Sequence, residues 1–347
     1  MSKTFSVTLQ PSGHCLQVGA DESVLDAALR LGYDAPHACQ QAACGICRGR
    51  ALSGQLGYED DVTPYGLFEQ EIADGYVLLC MARPLSDAVI EWRDVRAPGE
   101  FAVNKFSCRV QEVSALSDDT WRVVLALPAH AKIGFHAGQY LQLLMPDPAG
   151  AGTVARAFSI ASAPEQTGQI ELHIRAVANH LSALEVVRHL QTRSVVTIEL
   201  PFGNGRLPDN DRPLLLIAGG TGFAPMKALI ESSLARAETR ALHLFWGAQT
   251  VAGLYWHEAL LALSKQHPQL HYTPVLSQAS DDWHGAVGLP HQLACLSHPD
   301  LNGFEIFVSG SEGMARAVYQ EYRQRGVDPA RFHCDWIDML RAQGELG

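Results

Sequence analysis

The chain has 347 residues, with 26 Lys and Arg against 37 Asp and Glu, which gives a net charge of −11. This length is too great for one hydrophobic core and predicts two or three domains. The acidic balance argues against nucleic-acid binding through phosphate neutralisation. No run approaches the roughly 18 apolar residues of a membrane span, and the start, MSKTFSVTLQ, lacks the apolar core of a signal peptide. We therefore expect a cytoplasmic protein.

The first elements predict a β-grasp fold. Residues 4–19 alternate between apolar and polar around a PSGH turn and predict a β-hairpin. Residues 22–31 have apolar positions at helical spacing, with Asp21 as the expected N-cap and Gly32 just past the end. Residues 76–80 and 88–92 predict further strands.

The loop after this helix carries a cysteine motif. Cys39, Cys44 and Cys47 have the spacing C-x4-C-x2-C, and Cys80 follows after 32 intervening residues. Four thiolates at this spacing predict a [2Fe–2S] cluster of the plant type. A C-x2-C pair alone would leave zinc or a redox dithiol open, but zinc favours a second close pair, and Cys80 stands alone.

With these cysteines, about the first 95 residues resemble a plant-type ferredoxin domain. Such ferredoxins usually have Arg after the first ligand and Gly two positions further on, where this chain has Gln40 and Ala42. Acidic residues gather at 59–61 and 69–74. They form either a solvated face or a docking surface for a basic electron acceptor.

The remaining chain divides at changes of pattern. Pro98 and Gly99 lie in an aperiodic stretch and predict a linker at 98–104, after a first domain at 1–97. Six strand-like runs at 105–208 predict an antiparallel barrel, with a helix at 182–190. Alternating strands and helices at 209–347 predict a doubly wound parallel α/β domain. The fold class is thus multi-domain α+β and α/β.

The barrel contains Arg156-Ala157-Phe158-Ser159, which resembles the flavin-binding R-x-Y/F-S motif of ferredoxin–NADP⁺ reductase-like flavoproteins. Arg156 suits a flavin phosphate because guanidinium binds phosphate bidentately. The resemblance implies that Phe158 packs on the flavin and that Ser159 lies near its hydride-accepting nitrogen. It also implies that His173-Ile174-Arg175 line the flavin and that Ser182 caps the helix facing the pyrophosphate. Relatives often have Gly where this chain has Asn179.

The last domain resembles the NAD(P)H-binding half of the same reductases. The matching stretches are GGTGFAP (219–225), FWGAQT (245–250) and VSGSEGM (308–314). The resemblance implies nucleotide-binding roles for nine residues: Gly219, Gly220, Thr221, Gly222, Gly247, Gln249, Ser309, Gly310 and Met314. Many relatives have Cys at the position of Ser309, beside the nicotinamide. Trp336 either covers the flavin or packs between domains, and Ser159, Ser309 and Trp336 form the expected hydride-transfer environment.

Together these features predict an NAD(P)H-dependent iron–sulfur flavoprotein oxidoreductase. It would pass electrons from NADH through FAD and the cluster to a partner protein, such as an oxygenase, hydroxylase or dehydrase component. FAD is expected, with FMN left open, and NADH is preferred because no cation is obvious where a 2′-phosphate would lie. An NAD(P)H:flavin reductase that reduces free flavin is the alternative. A catalytically silent, redox-responsive binding module is a third hypothesis.

Overall fold

The structure is a computed structural model that describes residues 3–59, 62–129, 131, 133–147, 150, 152–176 and 181–345. It contains two compact units, one ending at Ala102 and the other beginning at Val103. We call them the N-terminal unit and the C-terminal unit. None of the helices in the described part of the chain is both long and apolar enough to cross a membrane.

The N-terminal unit is a mixed sheet with one main helix against it. Its elements are β1 (Thr4–Gln10), β2 (Cys15–Gly19), α1 (Val24–Arg30), β3 (Arg48–Ser53), β4 (Leu56–Gly57), α2 (Glu69–Ala73), β5 (Tyr76–Leu78), β6 (Arg83–Pro84) and β7 (Ala88–Glu91). The main sheet has the order β2-β1-β7-β3-β5, in which β1 pairs antiparallel with β2 and parallel with β7. Alternate residues of β1 and β2, such as Val7 and Leu16, are fully buried against α1. The predicted β-grasp fold is confirmed.

The start of α1 differs from the sequence prediction. The N-cap is Ser23 and not Asp21, because the Ser23 hydroxyl accepts the Asp26 N–H at 3.0 Å. The preceding Glu22 instead pairs with Arg30 on the last turn of the helix. The end is as expected, since Gly32 follows the helix with a φ of +81° that glycine adopts without strain.

The first part of the C-terminal unit is an antiparallel barrel. Its strands are β8 (Asn104–Ala115), β9 (Thr120–Ala126), β10 (Tyr140–Pro146), β11 (Thr153–Ser159), β12 (Gln169–Arg175) and β13 (Val195–Phe202), in the order β11-β10-β13-β8-β9-β12. The two edge strands meet through a bridge between Ile160 and Leu172, and Ala161 N–H donates to the Glu171 carbonyl at 2.8 Å. Helix α3 (Leu181–Thr192) packs on the buried apolar face of the sheet. The barrel prediction is confirmed.

The second part of the C-terminal unit is a parallel sheet with helices between its strands. The strands are β14 (Leu214–Gly219), β15 (Leu242–Ala248), β16 (Leu270–Leu276), β17 (Ala286–Val287), β18 (Glu305–Ser309) and β19 (Phe332–His333). The helices are α4 (Phe223–Ala235), α5 (His257–Gln266), α6 (Pro290–Ser297), α7 (Glu312–Gln324) and α8 (Asp335–Ala342). The strands lie in the order β17-β16-β15-β14-β18-β19. From β14, successive strands of the chain are added first on one side of the sheet and then on the other. Ligands bind at this kind of switch point in doubly wound sheets, outside the carboxyl ends of the strands.

Candidate functional site

The cysteine loop turns its backbone N–H groups toward sulfur. Gln40 and Ala42 have φ of 53° and Gly45 has φ of 76°, so left-handed residues alternate along the loop. The Cys39 sulfur accepts the N–H groups of Gln41 and Cys44, both at 3.4 Å. Such concavities of N–H groups bind anions, and they fit the thiolate form that an iron ligand needs.

The hydrogen bonds of the cysteine loop also change the acidity of the Cys39 thiol. Backbone N–H groups of Gln41, Ala43 and Cys44 lower the pKa of the Cys39 thiol to about 6. Ala42 is almost fully buried in its left-handed conformation. The loop therefore accommodates a methyl group where relatives usually have glycine.

The four cysteines lie as two neighbouring pairs. Cys39 contacts Cys44, Cys47 contacts Cys80, and Cys44 lies close enough to Cys47 to influence its charge. Burial, together with the Cys80 thiol, raises the pKa of Cys47 to about 12. Within the described residues, no three His, Cys, Asp or Glu side chains are arranged to hold a single metal ion. Two thiol pairs fit a two-iron group, in which four cysteines share the irons.

A second loop supports the cysteine loop from behind, and the sequence analysis did not identify it. Gly66 N–H donates to the Ala42 carbonyl at 3.0 Å. A Cβ on Gly66 would lie 2.7 Å from the Ala43 oxygen and 2.9 Å from the Gly45 nitrogen. Only glycine therefore allows this approach, and Gly66, the third residue of the PYGLF stretch, had no distinguishing signal in the sequence.

The C-terminal unit has a cleft of about 950 Å³ at the switch point between β14 and β18. Most of the predicted flavin and nucleotide residues line it: Ala157, Phe158, Ser159, His173, Arg175, Gly219, Gly220, Thr221, Gly222, Ser309, Gly310, Met314 and Trp336. The barrel thus contributes one wall and the carboxyl ends of the parallel strands contribute the other. This arrangement places an aromatic and hydroxyl-bearing edge opposite a glycine-rich turn.

Four predicted residues lie outside the lining of this cleft. Arg156 lies farther along β11, where its guanidinium contacts the Ala155 carbonyl at 3.3 Å. The Ile174 side chain is 1% exposed and packs in the barrel core. Gly247 is buried at the end of β15, where a Cβ would lie 2.9 Å from Pro290, and Gln249 is exposed just beyond that strand.

Two further sequence predictions concern the start of α3. Asn179 lies outside the described residues. Ser182 is the second residue of α3, so its main chain belongs to the first helical turn, although its side chain is outside the description. A role of this turn in phosphate binding stays a prediction.

The barrel wall of the cleft is built by β10 and β11. Ser159, at the end of β11, pairs with Tyr140, and Phe158 pairs with Leu141. The Tyr140 ring stacks on Phe202 with 5.6 Å between centroids. Tyr140 is a lining residue that sequence analysis missed, although it belongs to the HAGQY stretch just before the flavin motif.

His173 and Arg175 have different surroundings although both reach the cleft. His173 is 5% exposed, and its two ring nitrogens contact Glu171 at 2.9 Å and the Tyr255 hydroxyl at 3.0 Å. Arg175 is exposed, with its Nε 2.7 Å from Asp119. An Arg175 nitrogen also lies 3.9 Å from the position a Cβ would take on Gly220.

Gly222 is required by the protein's own packing, and Gly219 and Gly310 both lie against the Met314 side chain. A Cβ on Gly219 would lie 2.5 Å from the Met314 sulfur, and one on Gly310 would lie 2.7 Å from the same atom. A Cβ on Gly222 would lie 2.2 Å from the Ser309 carbonyl oxygen. The turn after β14 can therefore approach the end of β18 this closely only with glycine at position 222.

An indole holds the same turn in place. Trp246 is fully buried in β15, and its Nε1–H donates to the Gly220 carbonyl at 2.9 Å. Its ring stacks on Phe223, the first residue of α4, with 4.3 Å between centroids. Sequence analysis placed FWGAQT in the nucleotide-binding half but did not give Trp246 this role.

The end of the chain forms the remaining side of the cleft. Trp336 is 37% exposed, and its Nε1–H donates to the Gly310 carbonyl at 3.1 Å. Beside it, burial and the neighbouring Asp338 raise the pKa of Asp335 to about 7. A Cβ on Gly203 would lie 2.7 Å from Asp335 Oδ1, so Gly203 makes room for this carboxyl. Asp335 was not predicted because nothing in the sequence distinguishes it from an ordinary first-turn helix residue.

Comparison with protein families assigns three consecutive parts of the chain. Residues 7–85 match the 2Fe-2S iron-sulfur cluster binding domain, residues 107–206 the oxidoreductase FAD-binding domain, and residues 216–320 the oxidoreductase NAD-binding domain. The cysteine loop, the barrel wall of the cleft and the glycine turn each fall within the corresponding match.

Individual proteins match over most of the chain. A CDP-6-deoxy-L-threo-D-glycero-4-hexulose-3-dehydrase reductase from Yersinia pestis is 29% identical over 332 residues, 96% of this chain and 98% of that protein. The phenol 2-monooxygenase reductase component DmpP from Pseudomonas sp. strain CF600 is 34% identical over 295 residues, 84% of this chain and 82% of DmpP.

Among solved structures, the Amycolatopsis cytochrome P450 reductase GcoB aligns with a TM-score of 0.65 and 29% identity, over 96% of this chain and 98% of GcoB. All three relatives are reductases, and each spans the N-terminal and C-terminal units together. The chain belongs to the family of NAD(P)H-dependent iron–sulfur flavoprotein reductases, in which a [2Fe–2S] domain precedes an FAD-binding and an NAD-binding domain.

Proposed function

We propose that this chain is the reductase component of a multi-protein system. It would oxidise a reduced nicotinamide dinucleotide and deliver the electrons, through a flavin and a [2Fe–2S] cluster, to a separate oxygenase, hydroxylase or dehydrase component. The observation that carries the proposal is the cleft at the switch point, where the Ser159 edge of the barrel faces the glycine turn in a chain that also has the cysteine loop.

Each part of the cleft has a distinct task in this proposal. Tyr140 and Phe158 provide an aromatic wall on which a flavin ring can pack. Ser159 offers a hydroxyl at the edge of that wall, and Ser309 and Gly310 offer a narrow shelf for the nicotinamide. Trp336 covers the opening between them and excludes water when it packs inward.

The cysteine loop has the task of holding the iron ligands as thiolates. Its N–H groups stabilise negative charge on Cys39, while Cys47 and Cys80 are buried and protected from solvent. When bound, flavin accepts an electron pair as hydride and releases electrons singly, and a [2Fe–2S] cluster carries one electron at a time. The site residues and the domain boundaries, 1–97, 105–208 and 209–347 with a linker at 98–104, belong to this proposal.

We propose NADH as the preferred donor. Gln249 and Thr250 follow β15, and Ser277 and Gln278 follow β16; the two segments join through a Gln278 N–H to Gln249 carbonyl bond of 2.9 Å. These four side chains are neutral, which suits a ribose hydroxyl better than a 2′-phosphate. We expect kcat/KM to be at least tenfold higher with NADH than with NADPH.

We propose FAD rather than FMN as the bound flavin, and a cytoplasmic location. The FAD-binding family matches residues 107–206, which include nearly all of the barrel, and α3 lies within that match. Chromatography of the flavin released from the purified protein distinguishes the two flavins directly.

The test of the function is a visible spectrum of anaerobically purified protein before and after one equivalent of NADH. We expect both flavin and iron–sulfur absorption to bleach. Cys44→Ser should lose the iron–sulfur bands and the transfer to one-electron protein acceptors, but keep flavin bleaching. Cys15→Ser is the matched control, because Cys15 is an exposed cysteine on β2, away from the cysteine loop in sequence.

The outcomes separate this proposal from its alternatives. Iron–sulfur bands without bound flavin, and reduction of free flavin far faster than of any protein acceptor, would favour a flavin reductase. Failure to oxidise NADH with any acceptor would favour a catalytically silent binding module. Full transfer by Cys44→Ser would refute a role for the cluster.

A further inference from the structure

A largely buried ion cluster adjoins the cleft, which His173 helps to line, and joins the barrel to the nucleotide-binding half. We define it by five residues: Arg122, Glu171, His173, Lys227 and Tyr255. Glu171 is 4% exposed and Lys227 is 5% exposed. Glu171 Oε1 lies 2.9 Å from His173 Nε2 and 3.3 Å from Lys227 Nζ, and its Oε2 lies 2.8 Å from Arg122 Nη2.

The protonation states of this cluster follow from its geometry. Burial alone would raise the pKa of Glu171, but the His173 hydrogen bond and the Lys227 and Arg122 charges lower it to about 2. Because the carboxylate is ionised and only accepts, His173 Nε2 must carry the proton. Its Nδ1 then accepts the Tyr255 hydroxyl, 3.0 Å away, so both ring nitrogens are satisfied.

Lys227 is the member that crosses between the two halves. Its ammonium donates to the Ala161 carbonyl at 3.2 Å and forms ion pairs with Glu171 at 3.3 Å and with Glu231, on its own helix, at 2.8 Å. The ammonium thus has one hydrogen bond and two carboxylate partners, and its Nζ lies 5.3 Å from the centroid of the Trp256 ring. The low local dielectric strengthens these contacts, so they restrict movement of α4 against the barrel.

The contacts of Lys227 connect the segments that form the cleft. Lys227 lies four residues after Phe223, the residue at which α4 begins directly after the glycine turn. Ala161 is two residues beyond Ser159, and Glu171 is four residues before Arg175. One side chain therefore ties the glycine turn to both barrel strands that face it.

The same helix has a second set of contacts farther from the cleft. Arg236 Nε lies 2.7 Å from Glu165, and the Ser232 hydroxyl lies 2.9 Å from the same carboxylate. Arg236 is nine residues beyond Lys227, about 13 Å along the helix. Its side chain is 42% exposed, and exposed pairs of this type contribute little. This outer pair is a natural control for the buried one.

Stability alone does not account for a buried charge at this position. A buried ion pair commonly contributes no more than apolar side chains of the same volume would, because both charges lose their hydration. What charge adds is specific partners, since the Lys227 ammonium is attracted to the Ala161 carbonyl and the Glu171 carboxylate, whereas an apolar side chain packs without a preferred partner atom. Hydride transfer depends on that kind of precision, as a misplacement of about 1 Å can cost roughly a hundredfold in rate.

We propose that Lys227 is a positioning residue for hydride transfer. By tying α4 to Ala161 and Glu171, it sets the separation between the Ser159 edge of the barrel and the glycine turn, and so between flavin and nicotinamide. This inference rests on the function proposed above. Lys227 itself does not line the cleft, so it acts through the segments it holds.

The test compares Lys227→Met with the wild type in the full-length holoenzyme. The substitution retains most of the side-chain volume, Glu171 keeps Arg122 and His173, and Glu231 keeps the Gln166 amide at 3.1 Å, so the fold should persist. With ferricyanide as acceptor, we expect kcat for NADH oxidation to fall about tenfold or more, while KM for NADH changes less than threefold. Binding energy is spread over the whole dinucleotide, whereas the alignment of the reacting atoms affects only the rate.

A second measurement needs neither bound flavin nor turnover. In the flavin-free chain, amide hydrogen exchange at residues 160–168 and at the start of α4 should rise at least tenfold in Lys227→Met. Lys227→Arg, which keeps the cation, should restore at least half of kcat. Glu165→Gln, which weakens only the outer pair, should leave both kcat and exchange within twofold of the wild type.

The results have definite consequences. A Lys227→Met enzyme with kcat within twofold of the wild type would overturn the proposal, and so would equal losses in the Glu165→Gln control. Tyr255→Phe, which removes only the hydroxyl that holds His173, is the milder variant if Lys227→Met does not fold, and should slow the same step about threefold. If the wild type itself does not oxidise NADH, the proposed function fails, whereas the exchange comparison still tests whether Lys227 holds the two halves together.

Discussion

Replacing Gly222 by alanine tests whether the close approach of the glycine turn to β18 is required. Gly222 has φ −59° and ψ −9°, a conformation that any residue adopts, so the substitution introduces no backbone strain. The added Cβ would instead lie 2.2 Å from the Ser309 carbonyl oxygen and 2.7 Å from the Gly310 nitrogen. Both atoms belong to the backbone, so no side-chain rotation can relieve the contact.

The size of the effect follows from the overlap. Real Cβ contacts essentially never fall under 3.0 Å, so the turn and the end of β18 must separate by about 0.8 Å. Overpacking of this degree typically costs about 1–3 kcal/mol of unfolding free energy. Because the same displacement moves Ser309 at the wall of the cleft, NADH oxidation should also slow at least tenfold.

Gly313→Ala is the matched control. Gly313 lies in the first turn of α7, three residues past Gly310, and a Cβ there would meet nothing within 4 Å. Alanine in a helix should leave the protein unchanged or stabilise it by about 0.5 kcal/mol. The two variants can be compared by urea unfolding of the flavin-free chain and by steady-state NADH oxidation. Equal stability and activity in Gly222→Ala and Gly313→Ala would refute the packing argument.

Three further predictions concern a helix cap, a buried acid and an indole. Ser23→Ala removes the acceptor for the Asp26 N–H and should lower the free energy of unfolding by about 1 kcal/mol in a urea titration. A loss of the iron–sulfur cluster from this variant would contradict a purely local role of the cap. The pKa of Asp335 is about 7 in the folded chain, against a usual 3.8. Between about pH 4 and 7 the unfolded chain loses this proton and the folded chain keeps it, so the free energy of unfolding falls as pH rises through this range. Asp335→Asn should remove this loss, so the free energy of unfolding should rise by up to about 4 kcal/mol at pH 8 and hardly at all at pH 4. A gain that does not depend on pH would exclude the ionisation argument. Trp246→Phe keeps the ring packing but deletes the donor to the Gly220 carbonyl, and we expect a loss of about 1–3 kcal/mol in the same titration, with a neutral result showing that the turn does not need this bond.

Local sequence was enough for the elements and for the order of the sites. The cysteine spacing, the strand alternation and the glycine-rich strand–helix turn each depend on residues close together in the chain, where hydrogen-bonding and steric preferences act directly. The β-grasp fold, the antiparallel barrel and the doubly wound sheet were therefore predicted, whereas the three consecutive domain types were implied by the family resemblance. The cap of α1 was misassigned by two residues, because Asp21 and Ser23 both have side chains able to cap and only the backbone path selects one.

Tertiary structure decided which of these residues meet and what else they contact. His173 reaches Tyr255 across 82 residues of sequence, and Lys227 reaches Ala161 across 66, separations at which no periodicity carries information. The sequence marks Gly222 as a turn residue, but the Ser309 carbonyl that excludes a side chain there becomes its neighbour only when β14 and β18 pair. The burial that shifts the acidity of Asp335 likewise exists only in the folded chain, because desolvation is produced by every segment that closes around the carboxyl.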